Sequence, residues 1–417
     1  MSKSFIHSVF MLLILSVPVL ASVALGIGQS PFSSVKMELT LVRQGTEWKA
    51  DAKFNAAGQE FSNPVQNLKV NGSDVSFSVE IEGADVRFTG KLTDNKLGGT
   101  LEALQRGERV GTGTWNLTRL EAVANANDLA GKWLGTFSAQ PVPQQQADPN
   151  FDVRIATPAY TKNRKKVLFD EAHNNVHTTT GLYKPFVDLV TNDGYDVVPN
   201  KEKFQQSTLT GYEILVIVNA AGPRGQRANP AFTDEESDTV RDWVRAGGSL
   251  LFIADHAPMG AAAEILAKRF GVDMSKGYTD YPSSQDKVLG DILFSRDNKL
   301  LADHAITRGR DSRERVNRVV TFTGQSLKGP KDSVTFLKLP DTAVDTFPPD
   351  KTTVPAAGRA QGIVMKFGKG RVIVLGEAGM LSAQVDNKGR AFGMNYPNID
   401  NRQLALNIMH WLSRLLD

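Results

Sequence analysis

The sequence predicts two folded domains of different class: an all-β antiparallel meander or barrel over residues 31–138, and a doubly wound α/β domain over residues 161–417. Three observations predict this division. Apolar and polar residues alternate at period two through residues 31–120. A segment rich in Pro and Gln follows. Beyond it, nearly continuous apolar runs alternate with amphipathic helices. The chain length of 417 residues also exceeds that of one ordinary domain.

The first 24 residues are typical of a secretory signal peptide. Lys3 supplies the positive start, the apolar core runs from Val9 to Leu20, and Ala21 and Ala24 both offer small residues that suit cleavage. The apolar run is short for a membrane span, although an uncleaved N-terminal anchor is the alternative. We therefore expect a periplasmic or secreted protein with no membrane span after signal cleavage.

The β domain is predicted from short runs such as "VKMELTLV", "DVSFSVEI" and "KLGGTLEAL", separated by turn sequences such as "NGSD" and "TDNK". Strands spaced at roughly ten residues indicate a meander closed as a small barrel or sandwich. "GTGTWNLTRL" fits its last strand. The segment 129–137 is either one more strand or the start of a second, decayed copy.

Residues 139–160, which include "AQPVPQQQADPN", are predicted to be a linker because Pro and Gln dominate and bulky apolar residues are few. The apolar runs at 165–170, 212–220, 249–255, 362–367 and 371–377 are then predicted to be strands covered on both faces.

Two helices of the α/β domain are predicted from residues typical of helix ends and from apolar residues that share one helix face. One begins at Thr233, which has Glu236 at capping-box spacing, and ends at Gly247. The other begins near Asp400 and carries an apolar stripe. Residues 271–360 fit the alternation poorly, and their polar, Pro-rich sequence predicts an insertion that covers one end of the sheet.

Ligands of open parallel sheets bind beyond the carboxyl ends of the strands, so the residues there are the candidates for function. For catalysis we predict Asp255, His256 and Glu377, which follow two of the apolar runs. The residues predicted to bind a ligand are Asp170, Glu171, His173, Asn174, Asn219, Tyr281 and Asn398.

Three interpretations of these residues stay open. In the first, His173, His256 and Asp170 hold a divalent metal such as zinc, or acid/base groups act directly, and the site is a hydrolase. In the second, the same groups bind a polyhydroxylated ligand without metal. In the third, the carboxylates cap the helices that follow and the histidine packs beside them. No motif of fixed spacing decides among the three.

Composition excludes several classes of function. A net charge of +3 spread along the chain gives no case for nucleic acid. The chain has no Cys, which excludes thiol nucleophiles and thiolate metal sites. A basic run, Arg308 to Arg315, is typical of a solvated face, and a clamp for an anionic ligand is its alternative interpretation.

The α/β half resembles the class I glutamine amidotransferase-like superfamily over roughly residues 160–417. The resemblance rests on "VLFDEAHN", "GYEILVIVNAAG", "FTDEESDTVRDWVRAGGSLLFIADH", "GRVIVLGEAGML" and "DNRQLALNIMHWL". It is strongest to an exported branch related to trehalose-utilisation-like proteins and to a domain of some gliding and intraflagellar transport proteins. This implies a flavodoxin-like, amidotransferase-like sheet. The β half is similar to lipocalin-like modules of exported bacterial hydrolases.

The resemblance also implies what the chain does not do. The family places its nucleophilic Cys directly after the strand that here ends at Ala254, where this chain has Asp255 and His256. Cys-dependent glutamine hydrolysis is therefore excluded. The expected function is an exported ligand-binding or accessory protein for a glycan or small polyol. The alternatives are a hydrolase, metal-assisted or acid/base, using Asp255, His256 and His173, and a structural module whose β domain docks a partner protein.

Overall fold

The structure is a computed structural model, and its described part begins at Ser34 and ends at Asp417. The gaps within it are 57–58, 82–83, 106–107, 121–127, 142–144, 224–225, 282–290, 349 and 387–388. The chain divides into two compact units, Met1–Gln144 and Gln145–Asp417. The expected signal peptide, residues 1–24, lies outside the described residues. Within the described part, every helix is too short or too polar to cross a membrane.

The first unit is a closed barrel of eight antiparallel strands, each paired with the next, and the eighth pairs with the first. The strands are β1 (Ser34–Gln44), β2 (Glu47–Ala56), β3 (Gln59–Asn71), β4 (Asp74–Ile81), β5 (Ala84–Thr93), β6 (Lys96–Gln105), β7 (Glu108–Arg119) and β8 (Gly131–Pro141). The predicted meander is thereby confirmed as a barrel. The segment 129–137 contributes its closing strand, β8, and not a second copy.

The barrel interior is filled by side chains. Inward-facing residues alternate along each strand, and three buried aromatic rings, Phe77, Phe88 and Trp115, pack with centroid separations of 4.8–5.8 Å. The Trp115 indole N–H donates to the carbonyl oxygens of Thr89 and Thr100, at 3.2 and 3.1 Å. The polar tip of this buried ring is therefore satisfied, and the core is a packed one.

The second unit contains seventeen short strands and six helices within its described residues. The strands are β9 (Gln145–Ala147), β10 (Lys165–Asp170), β11 (Tyr195–Asn200), β12 (Ile214–Val218), β13 (Ser249–Ile253), β14 (Asp273–Met274), β15 (Tyr278–Asp280), β16 (Asp291–Ser295), β17 (Arg318–Phe322), β18 (Leu327–Lys328), β19 (Val334–Lys338), β20 (Val344–Phe347), β21 (Thr352–Pro355), β22 (Ala360–Phe367), β23 (Gly370–Leu375), β24 (Ala383–Asp386) and β25 (Ala391–Gly393). The helices are α1 (Lys184–Asn192), α2 (Gln206–Leu209), α3 (Asp234–Ala246), α4 (Met259–Arg269), α5 (Ala305–Arg308) and α6 (Asn401–Leu412).

A mixed nine-stranded sheet organises this unit, in the order β11-β10-β12-β13-β23-β22-β18-β14, with β19 also paired to β22. The strands from β11 to β23 in this order are parallel to one another, and β22 and β18 are antiparallel to their neighbours. Every residue of β12 and β13 is buried, as the continuous apolar runs predict.

Helices pack against both faces of the central strands. Alternate residues of β10, β12, β13 and β23 contribute to two hydrophobic clusters, one of which includes α1 and α6 and the other α3 and α4. Helix α3 has the predicted ends: Thr233 caps it, Glu236 completes the capping box, and Gly247 follows it with φ of 134°. Helix α6 begins after Asp400, whose carboxylate instead accepts the backbone N–H groups of Asn317 and Arg318.

Two segments differ from expectation. Within the expected linker, Gln145–Ala147 pairs with β24, and Phe151, Val153 and Ile155 pack against the core, because their apolar side chains alternate in the sequence. The expected insertion, 271–360, does more than cover one end of the sheet. Its strands β14, β18 and β19 are hydrogen-bonded members of the main sheet, so part of this polar segment is integral to the fold.

Candidate functional site

The parallel strands β10, β12, β13 and β23 deliver polar residues at the same edge of the sheet. Asp170 ends β10, Asn219 follows β12, Asp255 comes two residues after β13, and Glu377 comes two residues after β23. Carboxyl ends of adjacent parallel strands lie side by side, so these four side chains share the edge at which ligands of such sheets bind. They form two separate groups.

The first group surrounds His173, which is 1% exposed. Its Nδ1 lies 2.8 and 2.9 Å from the carboxylate oxygens of Asp170, and its Nε2 lies 2.9 Å from Oε1 of Glu236. The ring packs between Phe204 and Phe232, each with its centroid at 4.7 Å. Both ring nitrogens are thus occupied by protein carboxylates.

Glu236 shows why this group is structural. Its other oxygen accepts the Thr233 N–H at 3.0 Å, which completes the capping box of α3. Burial raises the pKa of Glu236, but hydrogen bonds from His173 and from the Thr233 backbone outweigh it, and the net shift is downward. His173 therefore joins the end of β10 to the start of α3. Because each ring nitrogen of His173 contacts a protein carboxylate, this geometry gives no support to the predicted ligand-binding and metal roles of His173 and Asp170, which stay predictions.

Two other predicted ligand residues stabilise the loop after β10. Glu171 accepts the backbone N–H and the hydroxyl of Thr179, both at 2.7 Å, and pairs with Lys201. Asn174 is exposed, has a positive φ of 50°, and donates to the carbonyl of Gly222 at 3.4 Å. These contacts fix the loop, and among the described residues neither side chain has a hydrogen bond or ion pair with the second group.

Asp255 is the centre of the second group, which we call the strand-end site and define as Asp255, Glu377, His177, Asn219, Tyr183, His256 and Tyr278. Its carboxylate is partly exposed and accepts the backbone N–H of His256 at 2.7 Å and, at 3.4 Å, that of Ala378. Within the described part of the chain, no cationic side chain forms an ion pair with it. Its remaining lone pairs are available to a ligand.

Asn219 and His177 lie on one side of Asp255. The Asn219 Oδ1 accepts the Asp255 backbone N–H at 2.9 Å, and its amide nitrogen contacts Nδ1 of His177 at 3.1 Å. Asn219 holds this position with a positive φ of 47°. Burial lowers the pKa of His177 to about 4, although the Asp255 charge acts in the opposite direction. His177 is therefore neutral at neutral pH, and its Nδ1 accepts the amide proton of Asn219.

Glu377 lies on the other side and is 1% exposed. Its oxygens accept the backbone N–H groups of Gly379 and Met380, at 2.5 and 2.7 Å. Burial and the Asp255 charge nevertheless raise the pKa of Glu377 well above its usual range. Tyr183, buried beside it, donates its hydroxyl to the carbonyl of Ala378 at 2.6 Å. Burial and the Asp255 charge therefore favour the protonated form of Glu377.

An aromatic pair forms the partly exposed side of the site. The ring of His256 stacks on that of Tyr278, with centroids 4.4 Å apart and an interplanar angle of 22°. Nδ1 of His256 donates to the carbonyl oxygen of Ala257 at 2.9 Å, since a carbonyl oxygen can only accept. No hydrogen bond joins Nε2 to another described residue.

Two predicted residues lie away from this group. Tyr281 is partly buried against the core cluster that contains α1 and α6. Asn398 is exposed in the turn before α6, with a positive φ of 58° and no hydrogen bond to the site. Among the residues that the structure describes, no group of three or more His, Asp or Glu could hold a metal ion. The predicted set of His173, His256 and Asp170 is therefore not assembled.

The sequence missed three contributors to this edge. Glu236 was assigned only to the helix cap, Tyr183 carried no signal beyond an apolar position near a helix start, and Gln325 lies in the expected insertion. The Gln325 amide donates to the carbonyl oxygens of Ala254 and Asp255, at 2.8 and 3.0 Å, and so fixes the backbone after β13. Only the folded chain brings Gln325 to this position.

The comparisons with known proteins add little to this geometry. No protein-family model matches the chain, and no curated protein matches it. Solved structures match about 60% of the chain distantly. The "mmIFT52 N-terminal domain" is 16% identical, with a TM-score of 0.43 over 60% of this chain and 97% of that chain. A putative GMP synthase protein from Thermoplasma acidophilum is 12% identical, with a TM-score of 0.34 over 61% and 96%.

An exo-beta-1,4-mannosidase from Opitutaceae bacterium strain TAV5 is 10% identical, with a TM-score of 0.31 over 61% of this chain and 36% of that chain. At these identities and TM-scores the matches decide neither the family nor the activity of the chain. The function must be argued from the strand-end site itself.

Proposed function

We propose that the strand-end site binds a neutral, hydroxyl-rich ligand, either a glycan or a small polyol, and that the protein is an exported ligand-binding or accessory protein. The observation that carries the proposal is the state of Asp255. It is a partly exposed carboxyl group without a cationic partner among the described residues; the pKa of about 4 keeps the neighbouring His177 ring neutral, and the raised pKa of Glu377 favours its protonated form.

The charge of the site favours this class of ligand. His177 is a neutral imidazole because burial lowers its pKa to about 4, and burial raises the pKa of Glu377, Tyr183 and Tyr278, which favours their neutral forms. A carboxylate among neutral donors and acceptors suits hydroxyl groups, which can donate to Asp255 without bringing a charge that the site must balance. An anionic ligand would meet the Asp255 charge with no cation to offset it.

The stacked rings supply the second component. His256 and Tyr278 present aromatic surface beside Asp255, and Tyr278 is held by a 3.3 Å hydrogen bond from its hydroxyl to the carbonyl of Ala257. A sugar ring has apolar C–H faces and polar edges, so it can pack on the rings while its hydroxyls reach the carboxylate.

The experiment is a binding measurement on the mature protein. An array of neutral oligosaccharides and a panel of polyols are screened, and the strongest hit is titrated by calorimetry against wild type, Asp255→Asn and the exposed control Asp332→Asn. Asp255→Asn is expected to weaken binding at least tenfold, because the amide nitrogen cannot accept a hydroxyl proton. Asp332→Asn should bind as wild type does. Equal affinity of all three, or no hit on wild type, would overturn the proposal.

A hydrolase is the second candidate, and the carboxyl pair favours it. Glu377, whose pKa is raised by burial and by the Asp255 charge, has the form of a general acid near a second carboxyl group, as in glycoside hydrolysis. His256, whose Nε2 lone pair has no described partner, is the alternative base. The arrangement supports acid/base chemistry more than the metal-assisted route, because the three expected ligands are not brought together. Release of reducing sugar from the bound glycan, lost in Glu377→Gln, would establish this function.

The sheet supports a further proposal on fold and location. Five parallel strands with helices on both faces suit a variant of the doubly wound, amidotransferase-like fold, in which Asp255 and His256 occupy the position of the family's Cys. Export to the periplasm or medium rests on the sequence of residues 1–24. Fractionation of cells that express the full chain, followed by N-terminal sequencing of the mature protein, tests it.

A further inference from the structure

A second concave region of the α/β unit lies along helix α6 and shares no residue with the strand-end site. It is a cavity of about 430 Å³, which we call the α6 cavity. Three stretches and one single residue form its walls: residues 154–157, residues 310, 311, 313 and 314, one face of α6 from Arg402 to His410, and Asp193. A cavity of this volume can hold a monosaccharide-sized molecule.

The charges that line the α6 cavity are balanced with one exception. Nε of Arg310 donates a hydrogen bond to Oε1 of Glu314 at 2.7 Å, and Nη2 of Arg313 donates one to Oδ2 of Asp311 at 2.7 Å. The exception is Arg402. Its Nε and Nη2 donate to the carbonyl oxygens of Asp152 and Arg154, at 3.1 and 2.7 Å.

Arg402 therefore has no carboxylate partner within the described part of the chain. Burial lowers the pKa of its guanidinium, while the charges of Asp152 and Asp193 act in the opposite direction. Its Nη1 makes no hydrogen bond to a described residue. A partly buried guanidinium with an unused nitrogen is suited to an anionic oxygen.

His410, at the other end of the cavity, supplies an independent signal. Its side chain is 1% exposed, and its Nε2 donates to Asp193 at 2.7 Å. The other nitrogen, Nδ1, is buried with no hydrogen-bond partner, and the nearest carboxylate oxygen, Oε2 of Glu314, lies 3.9 Å away. A buried polar atom without a partner is unusual in a folded protein, and here its residue lines the cavity.

We propose that the α6 cavity binds a small hydroxy-carboxylate of the hexuronic acid type. The carboxylate pairs with the guanidinium of Arg402, and a ring hydroxyl donates to Nδ1 of His410 after a small shift of the Glu314 side chain. Because Asp193, Asp311 and Glu314 also line the cavity, a single negative charge is accommodated and a doubly charged phosphate is disfavoured. Arg310 and Arg313, from the basic run for which an anion clamp was the alternative interpretation, are paired with Glu314 and Asp311 and line this wall, while the anion is held by Arg402.

The test is calorimetric titration of the mature protein with D-galacturonate, with D-galactose as the uncharged probe and inorganic phosphate as the dianionic one. We expect one galacturonate per chain, bound at least tenfold more tightly than phosphate. Arg402→Gln is expected to weaken galacturonate at least tenfold and to leave any binding of galactose unchanged. Arg315→Gln, an exposed arginine outside the cavity, is the matched control and should bind as wild type does.

A second measurement uses the wild-type chain, so it does not depend on the folding of a variant. Imidazole ¹⁵N spectra should show a shift of the His410 Nδ1 resonance when galacturonate is added and none when galactose is added. Failure of galacturonate to bind, equal binding of phosphate, or equal affinity of wild type and a folded Arg402→Gln would overturn the proposal. An unmoved Nδ1 resonance at saturation would also overturn it.

Discussion

Replacing His173 with alanine is expected to destabilise the α/β unit by about 3–5 kcal/mol, because it leaves two buried carboxylates without their common partner. Asp170 is fully buried and the Glu236 side chain is 8% exposed. The three contacts that would be lost, at 2.8, 2.9 and 2.9 Å, are charge-assisted, and each such bond contributes about 1.5–3 kcal/mol when measured alone. The total is less than their sum because Asp170 retains the Asn175 amide.

Urea unfolding is the assay, followed by hydrogen exchange because a chain with two units need not unfold in one step. Exchange should rise first in the peptides that carry β10 and the start of α3, which His173 joins. His173→Phe, which keeps the packing against Phe204 and Phe232, separates the polar from the apolar contribution. Thr180→Ala, an exposed position in the same segment, is the control and should lie within about 0.5 kcal/mol of wild type. A loss below about 1 kcal/mol in His173→Ala would refute a structural role for this group.

Three further predictions concern pH and the barrel. The pKa of His177 is about 4 in the folded chain and 6.5 in its ordinary state, so between these pH values the unfolded chain binds more protons than the folded one. The free energy of unfolding should therefore fall by about 2 kcal/mol from pH 7 to pH 5. His177→Gln should flatten this dependence in urea titrations at the two pH values, and an unchanged slope would contradict the assignment. Trp115→Ala should cost the barrel about 3–5 kcal/mol by circular dichroism, since it empties a fully buried site, and a change below about 1 kcal/mol would contradict the packed interior. Gly113→Ala should weaken the β7–β8 pairing, because the Cβ of the alanine would lie 1.8 Å from the Ser138 carbonyl oxygen. Unchanged protection of the backbone amides of both strands from hydrogen exchange would contradict this.

The sequence predicted the strands and helix ends whose structure depends on residues close to one another in the chain. Period-two alternation predicted the barrel strands, since a barrel wall has one buried and one exposed face. The continuous apolar runs predicted β12 and β13, which are buried on both faces. Thr233, Glu236 and Gly247 predicted the ends of α3, because caps depend on residues only a few positions apart.

Prediction failed where a role depends on a distant partner. Apolar residues of the expected linker pack against the hydrophobic core. Three strands of the expected insertion belong to the main sheet, because the pairing of a strand depends on which strand lies next to it in the folded chain. Asp400 precedes α6 as expected, but its side chain does not cap the helix, because its carboxylate accepts the backbone N–H groups of Asn317 and Arg318.

The candidate site shows the same division. The sequence alone determined that Asp170, Asn219, Asp255 and Glu377 stand at strand ends, because polar residues must leave a sheet that is buried on both faces. It could not determine that His173 joins Asp170 to Glu236, which stands at the start of a helix sixty-three residues beyond His173, whereas Asp255 accepts only backbone N–H groups and has no ion-pair partner among the described residues. That difference is decided by the tertiary structure, because whether a polar group is available to a ligand depends on the partners that folding brings to it.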